Sequence, residues 1–254
     1  MLRPGLVSIT FRQLTAPLVA DLAAAAGLEA VEWGGDVHAP HGDLKTAAEV
    51  RRLTADRGLE VAAYGSYYRA AAGGPTFESA LASAVELGAP VIRVWAGNRP
   101  SADADRTCRD AVAKDLRRIA ALAADESVEV ALEFHAGTLT DTCESAMALL
   151  RQAGHTNLKS YWQPPRGRSL RQNLCDIEAL RPHLGDVHVF HWSHDPPRRH
   201  ALADGQADWM QYLRAIDADS LRRFAMIEFV KDDRPENLAG DAQTLLAWLK
   251  ELRV

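Results

Sequence analysis

What most limits the shape of this chain is a change of hydrophobic period that recurs along its whole length. A short apolar run is followed by a glycine or proline break and then by an amphipathic helical pattern, the unit returning every thirty to forty residues, roughly the length of a β-α unit. The pattern predicts strands over 6–11, 30–33, 59–64, 90–95, 128–134, 158–162, 187–191 and 224–229. Helices are expected between them: from a Thr15 cap to Ala26, then 44–57, 76–87 and 104–124. The later ones are a segment capped by Thr140 or Asp141 and running to Ala153, one carrying Asp176 to Leu180, then 209–216 and 236–252. Gly27, Gly58 and Gly88 stop the first three helices, as residues that tolerate positive φ do.

Eight strand-helix units in strict alternation favour a parallel sheet, and eight is the number that closes it into a (β/α)8 TIM barrel. A length of 254 residues suits one such barrel, so residues 1–254 are read as a single domain. A doubly wound open sheet would use the same alternation, but no Gly-x-Gly-x-x-Gly turn follows the first strand. The net charge of -5 gives no electrostatic reason to expect nucleic acid or an anionic membrane as partner. No apolar run approaches membrane-spanning length and no secretory leader pattern is seen. Cys108, Cys143 and Cys175 lack ligand spacing, so reduced thiols in a cytoplasmic protein are expected.

In a barrel of this kind the chemistry lies at the C-terminal ends of the strands. Those ends offer Glu32, Tyr64, Arg93, Trp95, Glu133, His135, Gln163, His191 and Glu228. A carboxylate there is costly to bury unless it is paired, hydrogen-bonded or bound to a metal. Glu133, His191 and Glu228 make a hard-oxygen and imidazole set suited to one divalent ion, Mn²⁺, Mg²⁺, Zn²⁺ or Co²⁺, with positions open to substrate. Two carboxylates flanking a substrate would remove a proton from one carbon and return one to its neighbour. The plainer reading pairs both glutamates with a neighbour such as Arg93 and makes His191 a core histidine. His135 reads as a substrate contact or a loop residue, Arg93 as a substrate anchor or a glutamate's partner, and Lys231 as a pocket lysine or part of a solvated charge run. Alternation puts His188 on the face opposite His191, which would pack it under a helix.

The order of these short motifs resembles the sugar phosphate isomerase/epimerase superfamily, the xylose isomerase-like TIM barrels. The resemblance rests on Gly27-x-x-Ala-Val-Glu32, Glu133-Phe-His135 followed by Thr140, Val189-Phe-His191, Gly205-Gln-Ala-Asp-Trp209 and Ile227-Glu228. It implies a metal held by Glu133, Gln163, His191 and Glu228, with Glu133 and Glu228 also serving as the acid/base pair. It further implies a metal-assisted isomerase or epimerase of a small sugar, sugar phosphate or related hydroxy-carbonyl compound, possible as a homodimer. A dehydratase using the same site, or a ligand-binding barrel with a degraded metal site, is the alternative. Gln163 and Arg166 stand where the superfamily commonly has Asp and His. A neutral amide is a poorer metal donor than a carboxylate, so weaker metal binding is expected, and the wall becomes more positive. Arg166, with His135, Arg93 and Lys231, is therefore expected to face a substrate bearing a carboxylate or phosphate.

Overall fold

Side chains alternate along each strand, and this alternation sorts the apolar residues into two shells. Val31, Trp33, Val130, Leu132, Val187, Val189 and Ile227 join the large core shared with the helices, whereas Val7, Ala30, Ala131, Tyr161 and Met226 fill the interior of the sheet. A computed structural model describes residues 1–194 and 196–253. The strands are β1 (Leu2–Val7), β2 (Ala30–Gly34), β3 (Glu60–Arg69), β4 (Val91–Trp95), β5 (Glu129–Leu132), β6 (Leu158–Trp162), β7 (Leu184–Val189) and β10 (Arg223–Ile227). A small antiparallel hairpin, β8 (Trp192–His194) with β9 (Pro197–Arg199), lies between the last two in the chain. All eight others pair in parallel and close into a barrel of order β1-β10-β7-β6-β5-β4-β3-β2. In that ring β4 and β10 stand diametrically opposite.

Eight α-helices surround the barrel: α1 (Ala16–Ala25), α2 (Leu44–Asp56), α3 (Phe77–Leu87), α4 (Arg106–Asp125), α5 (Cys143–Ala153), α6 (Leu170–Leu180), α7 (Gln206–Asp217) and α8 (Leu238–Glu251). The side chains of Asp43, Thr76, Asp105, Thr142 and Ser169 each accept a backbone N–H in the first turn of the helix they precede. Each such cap is worth about 1 kcal/mol. The cap of α5 is Thr142, not Thr140 or Asp141. Thr140 is used elsewhere, its hydroxyl donating to the Glu133 carbonyl at 2.5 Å.

Several elements depart from the sequence pattern, among them β3, which runs on to Arg69, and β5 and β10, which stop at Leu132 and Ile227. The first strand begins at Leu2, and Ser8–Phe11 is a 3₁₀ turn. The pattern placed it over 6–11, yet the Pro4 carbonyl accepts from Glu29 N–H, and Gly5 is required. A Cβ on it would lie 2.9 Å from Met226 Cγ and 3.2 Å from the Ala30 carbonyl. The seventh strand ends at Val189 rather than His191, and the polar loop after it contains the β8/β9 hairpin. No helix among the described residues is long and apolar enough to cross a membrane.

Candidate metal centre and pocket

Five charged side chains at the C-terminal end of the barrel make one continuous chain of contacts: Glu133, Arg93, Glu32, His188 and Glu228. None of these residues is more than 5% exposed. Arg93 donates through Nε to Glu32 Oε1 at 2.7 Å and through Nη1 to Glu133 Oε2. Trp95 Nε1 donates to the same Glu133 oxygen at 2.5 Å. The other Glu32 oxygen lies 3.4 Å from His188 Nε2, and His188 Nδ1 lies 3.4 Å from Glu228 Oε2. Gly65 makes room for this cluster, since a Cβ there would fall 2.7 Å from both Arg93 Nη2 and Glu32 Oε1.

The electrostatics follow from the count of charges. Three carboxylates face one guanidinium, leaving two negative charges to be balanced among groups that are almost fully buried. Burial alone would raise the Glu32 pKa, but the charges of Arg93 and His188 outweigh it and hold the carboxyl at about 2. Burial would likewise discharge His188, but Glu228 and Glu32 overcome it and push the imidazole up to about 10. In the absence of a metal, a proton on His188 supplies part of the missing positive charge.

A divalent ion fits the same place. Glu133, His188 and Glu228 each offer a ligand atom, and these atoms lie within 4.8 Å of one another. His188 Nδ1 is buried without a hydrogen-bond partner among the described residues. With Nε2–H directed to Glu32, the Nδ1 lone pair is the one left for a cation, the arrangement in which a carboxylate fixes the tautomer of a metal-ligating histidine. Gln163 lines the neighbouring cavity: its Nε2 donates to the Phe134 carbonyl at 2.8 Å, which orients the amide and leaves Oε1 buried with no donor facing it among the described residues.

One cavity of about 520 Å³ gathers most of the residues singled out from sequence: Arg93, Glu133, His135, Gln163, Arg166 and Glu228. His191 is elsewhere. It lines a smaller cavity of about 100 Å³ behind Phe190 and Trp192, with Asn173, Asp208 and Tyr212. Its place among the glutamates is taken by His188, expected under a helix and found instead on the inner face of β7. The reason is register. Val187 and Val189 face the helices, so Asp186 and His188 face inward, and the strand ends before His191. The polar-apolar alternation Asp186-Val187-His188-Val189 carried that signal. Lys231 is exposed in a 3₁₀ turn and does not line the cavity. Arg12 and Phe229, which sequence reasoning missed, line it from loops, and Tyr67 and Trp192 line it from β3 and β8.

His135 lies against Trp95, ring centroids 4.6 Å apart and planes inclined by 19°, and its Nδ1 donates to the Ala136 carbonyl at 2.6 Å. Its Nε2 therefore carries the lone pair in the neutral ring. Arg166 lies over the Trp192 ring at 5.6 Å and makes no hydrogen bond or ion pair among the described residues.

Residues 20–252 match the family described as xylose isomerase-like TIM barrel. A stretch of 68 residues is 41% identical to a 3-dehydroshikimate dehydratase of Bacillus anthracis, spanning 27% of this chain and 24% of that protein. Among solved structures, a probable 3-DHS dehydratase from Bacillus anthracis superposes with a TM-score of 0.77 at 22% identity, covering 97% of this chain and 99% of that one. An L-ribulose 3-epimerase gives 0.78 at 17% identity over 100% and 96% of the two chains. D-allulose 3-epimerase from Methylomonas sp. gives 0.75 at 18% identity over 99% and 98%. At these identities the structural likenesses speak for the fold alone, and the family match covers most of the chain: it belongs to the xylose isomerase-like TIM barrel family.

Proposed function

We propose that this chain is a metal-assisted enzyme that removes a proton beside the carbonyl of a small anionic hydroxy-carbonyl compound and expels a neighbouring hydroxyl as water. One observation carries the reading: ligand atoms of Glu133, His188 and Glu228 lie within 4.8 Å of one another, and the two glutamates line a cavity whose wall also holds Arg166, unpaired among the described residues. The stretch of likeness to a 3-dehydroshikimate dehydratase supports elimination as the outcome. Glu133, Gln163, His188 and Glu228 would hold the ion, which polarises the carbonyl and so stabilises negative charge developing on its oxygen. Arg93 and Trp95 fix Glu133 through one oxygen and leave the other for ion or substrate. His135 Nε2 is the available base on one side of the pocket. The proton taken by His135 is returned to the neighbouring hydroxyl as its C–O bond breaks and the C=C bond forms, so that water leaves. The Glu228 carboxylate, which touches His188 but no guanidinium among the described residues, accepts a hydrogen bond from that hydroxyl and orients it. Arg166 receives the substrate's anionic group.

A second reading keeps the site and changes the outcome. Glu133 and Glu228 meet around one point, as a pair exchanging a proton across a substrate would, and that geometry favours isomerisation or epimerisation. The test is turnover with Mn²⁺ in heavy water on 3-dehydroshikimate, D-allulose and L-ribulose. Elimination forms a conjugated product and water. Epimerisation or isomerisation leaves the mass of the sugar raised by carbon-bound deuterium. A Mn²⁺-loaded protein inert toward every member of the panel would sink the catalytic reading in favour of a binding barrel.

A further inference from the structure

Directly after Glu228, the backbone of Phe229 adopts φ 68°. For a bulky residue this left-handed conformation is an outlier that persists only where its surroundings impose it. Here the imposing group is Thr10, 3% exposed, whose hydroxyl accepts from Phe229 N–H at 3.0 Å and donates to the Ile227 carbonyl at 3.4 Å. The clip grips the chain on both sides of Glu228 and turns the Phe229 ring into the cavity instead of letting it continue the strand. There the ring centroid lies 5.4 Å from that of Trp192, which in turn lies 4.9 Å from that of Phe190. Arg199 sits 3.9 Å above the Phe229 ring and is tied by an ion pair to Asp233.

The opposite wall is built the same way. Trp95 ends β4, the strand diametrically across the barrel from β10. It carries His135 stacked on its ring, and Arg69 lies 3.6 Å from the ring centroid. Two aromatic walls, each backed by a guanidinium, thus rise from opposite sides of the barrel around one cavity, with Arg166 at the margin. Aromatic faces packed in this way favour another flat, electron-poor ring between them over a puckered or open-chain polyol.

We infer that Phe229 is a specificity-determining residue, held in a strained conformation so that it forms one side of a slot for a flat, conjugated ring acid. This rests on the anionic-substrate reading above and narrows it. The strain is otherwise unexplained, because a glycine at this position would adopt the same φ without it.

The test is calorimetric titration of the full chain with Mn²⁺ present, using benzoate and cyclohexanecarboxylate, two acids of equal charge and carbon number that differ in flatness and cannot react. Wild type should bind benzoate about three- to tenfold more tightly. Phe229→Ala should abolish that preference while leaving cyclohexanecarboxylate within about twofold, as expected if only the ring contact is lost. Phe229→Gly should lose the preference too and melt no lower than wild type, because the strain is relieved. A clear fall in its melting temperature would make the ring a packing element and overturn the inference. Equal binding of the two acids by wild type would remove the slot while leaving the anionic substrate standing. Failure of both acids to bind would remove both.

Discussion

Glu32 accepts a hydrogen bond from Arg93 Nε at 2.7 Å inside the barrel, where neither residue is more than 2% exposed. The same guanidinium also binds Glu133, so one positive charge holds two carboxylates. Burying the three groups is offset only while they remain together. Arg93→Met should therefore cost about 3–5 kcal/mol, the penalty for stranding buried charge, whereas an isolated surface pair is worth about 1 kcal/mol or less. Urea unfolding of the metal-free protein measures it. A loss below about 1 kcal/mol would mean that water reaches the cluster.

The acid limit of stability follows from Glu32. Its carboxyl is held at about 2 in the folded chain against an ordinary 4.5, because Arg93 and His188 overcome the effect of burial. The folded-state pKa is depressed, so the stabilisation is fully present above the ordinary value and is lost as pH falls towards 2. Glu32→Gln should be less stable at neutral pH, and its stability should fall less steeply between pH 4.5 and 2 than that of wild type. Parallel curves for the two proteins over that window would refute the assignment.

Metal binding should release a proton. In the metal-free protein His188 stays charged up to about 10 against an ordinary 6.5, held so by Glu228 and Glu32. That raised value stabilises the metal-free fold fully below 6.5, and the contribution is lost as pH rises towards 10. An ion bound through Nδ1 displaces the proton, so Mn²⁺ affinity should increase with pH across the same window. Titrations in two buffers of different ionisation enthalpy should show about one proton leaving per ion at neutral pH. His188→Asn should bind more weakly and release none.

Much of this site is legible from strand alternation alone. Ala131 and Glu133 share the inner face with each other, as do Met226 and Glu228, and both glutamates stand where an inward carboxylate needs a partner. What alternation cannot supply is where a strand stops. Placing the seventh strand over 187–191 put the wrong histidine at its tip, although His191 and His188 lie on opposite faces and only one of them faces inward. Arg12 belongs to the 3₁₀ turn region after β1, and Phe229 depends on a positive φ set by Thr10, some 219 positions away in the chain. No local pattern encodes a contact between residues so distant in sequence.

In the proposed site Gln163 would set how tightly the ion is held. Its Oε1 is buried without a donor, and the amide is oriented by the bond from Nε2 to the Phe134 carbonyl. Gln163→Met keeps the volume and removes the oxygen, so Mn²⁺ affinity should fall at least about tenfold if it is a ligand and remain unchanged if it is only a wall. Gln163→Asp restores charge at the cost of the Phe134 bond and should bind the ion more tightly than Gln163→Met. Calorimetry on the three proteins orders them directly.

The proposal of an anionic substrate rests on Arg166. This residue is exposed at the cavity margin, stacked near Trp192, and its guanidinium has no carboxylate among the described residues to satisfy it. A cation left free beside a pocket attracts an anion, and the planar fork suits a carboxylate or phosphate through two parallel hydrogen bonds. Arg166→Gln should weaken benzoate binding about tenfold, as loss of a hydrogen bond to a charged group implies, and leave benzamide within about twofold. Arg166→Lys should fall between them, since it keeps the charge and loses the fork. The wild-type preference for the acid should also shrink as salt is raised, because the arginine is solvent-exposed and screened. Equal losses for acid and amide would mean that Arg166 acts by packing on Trp192, and the pocket would then have no charged end by which to orient a substrate.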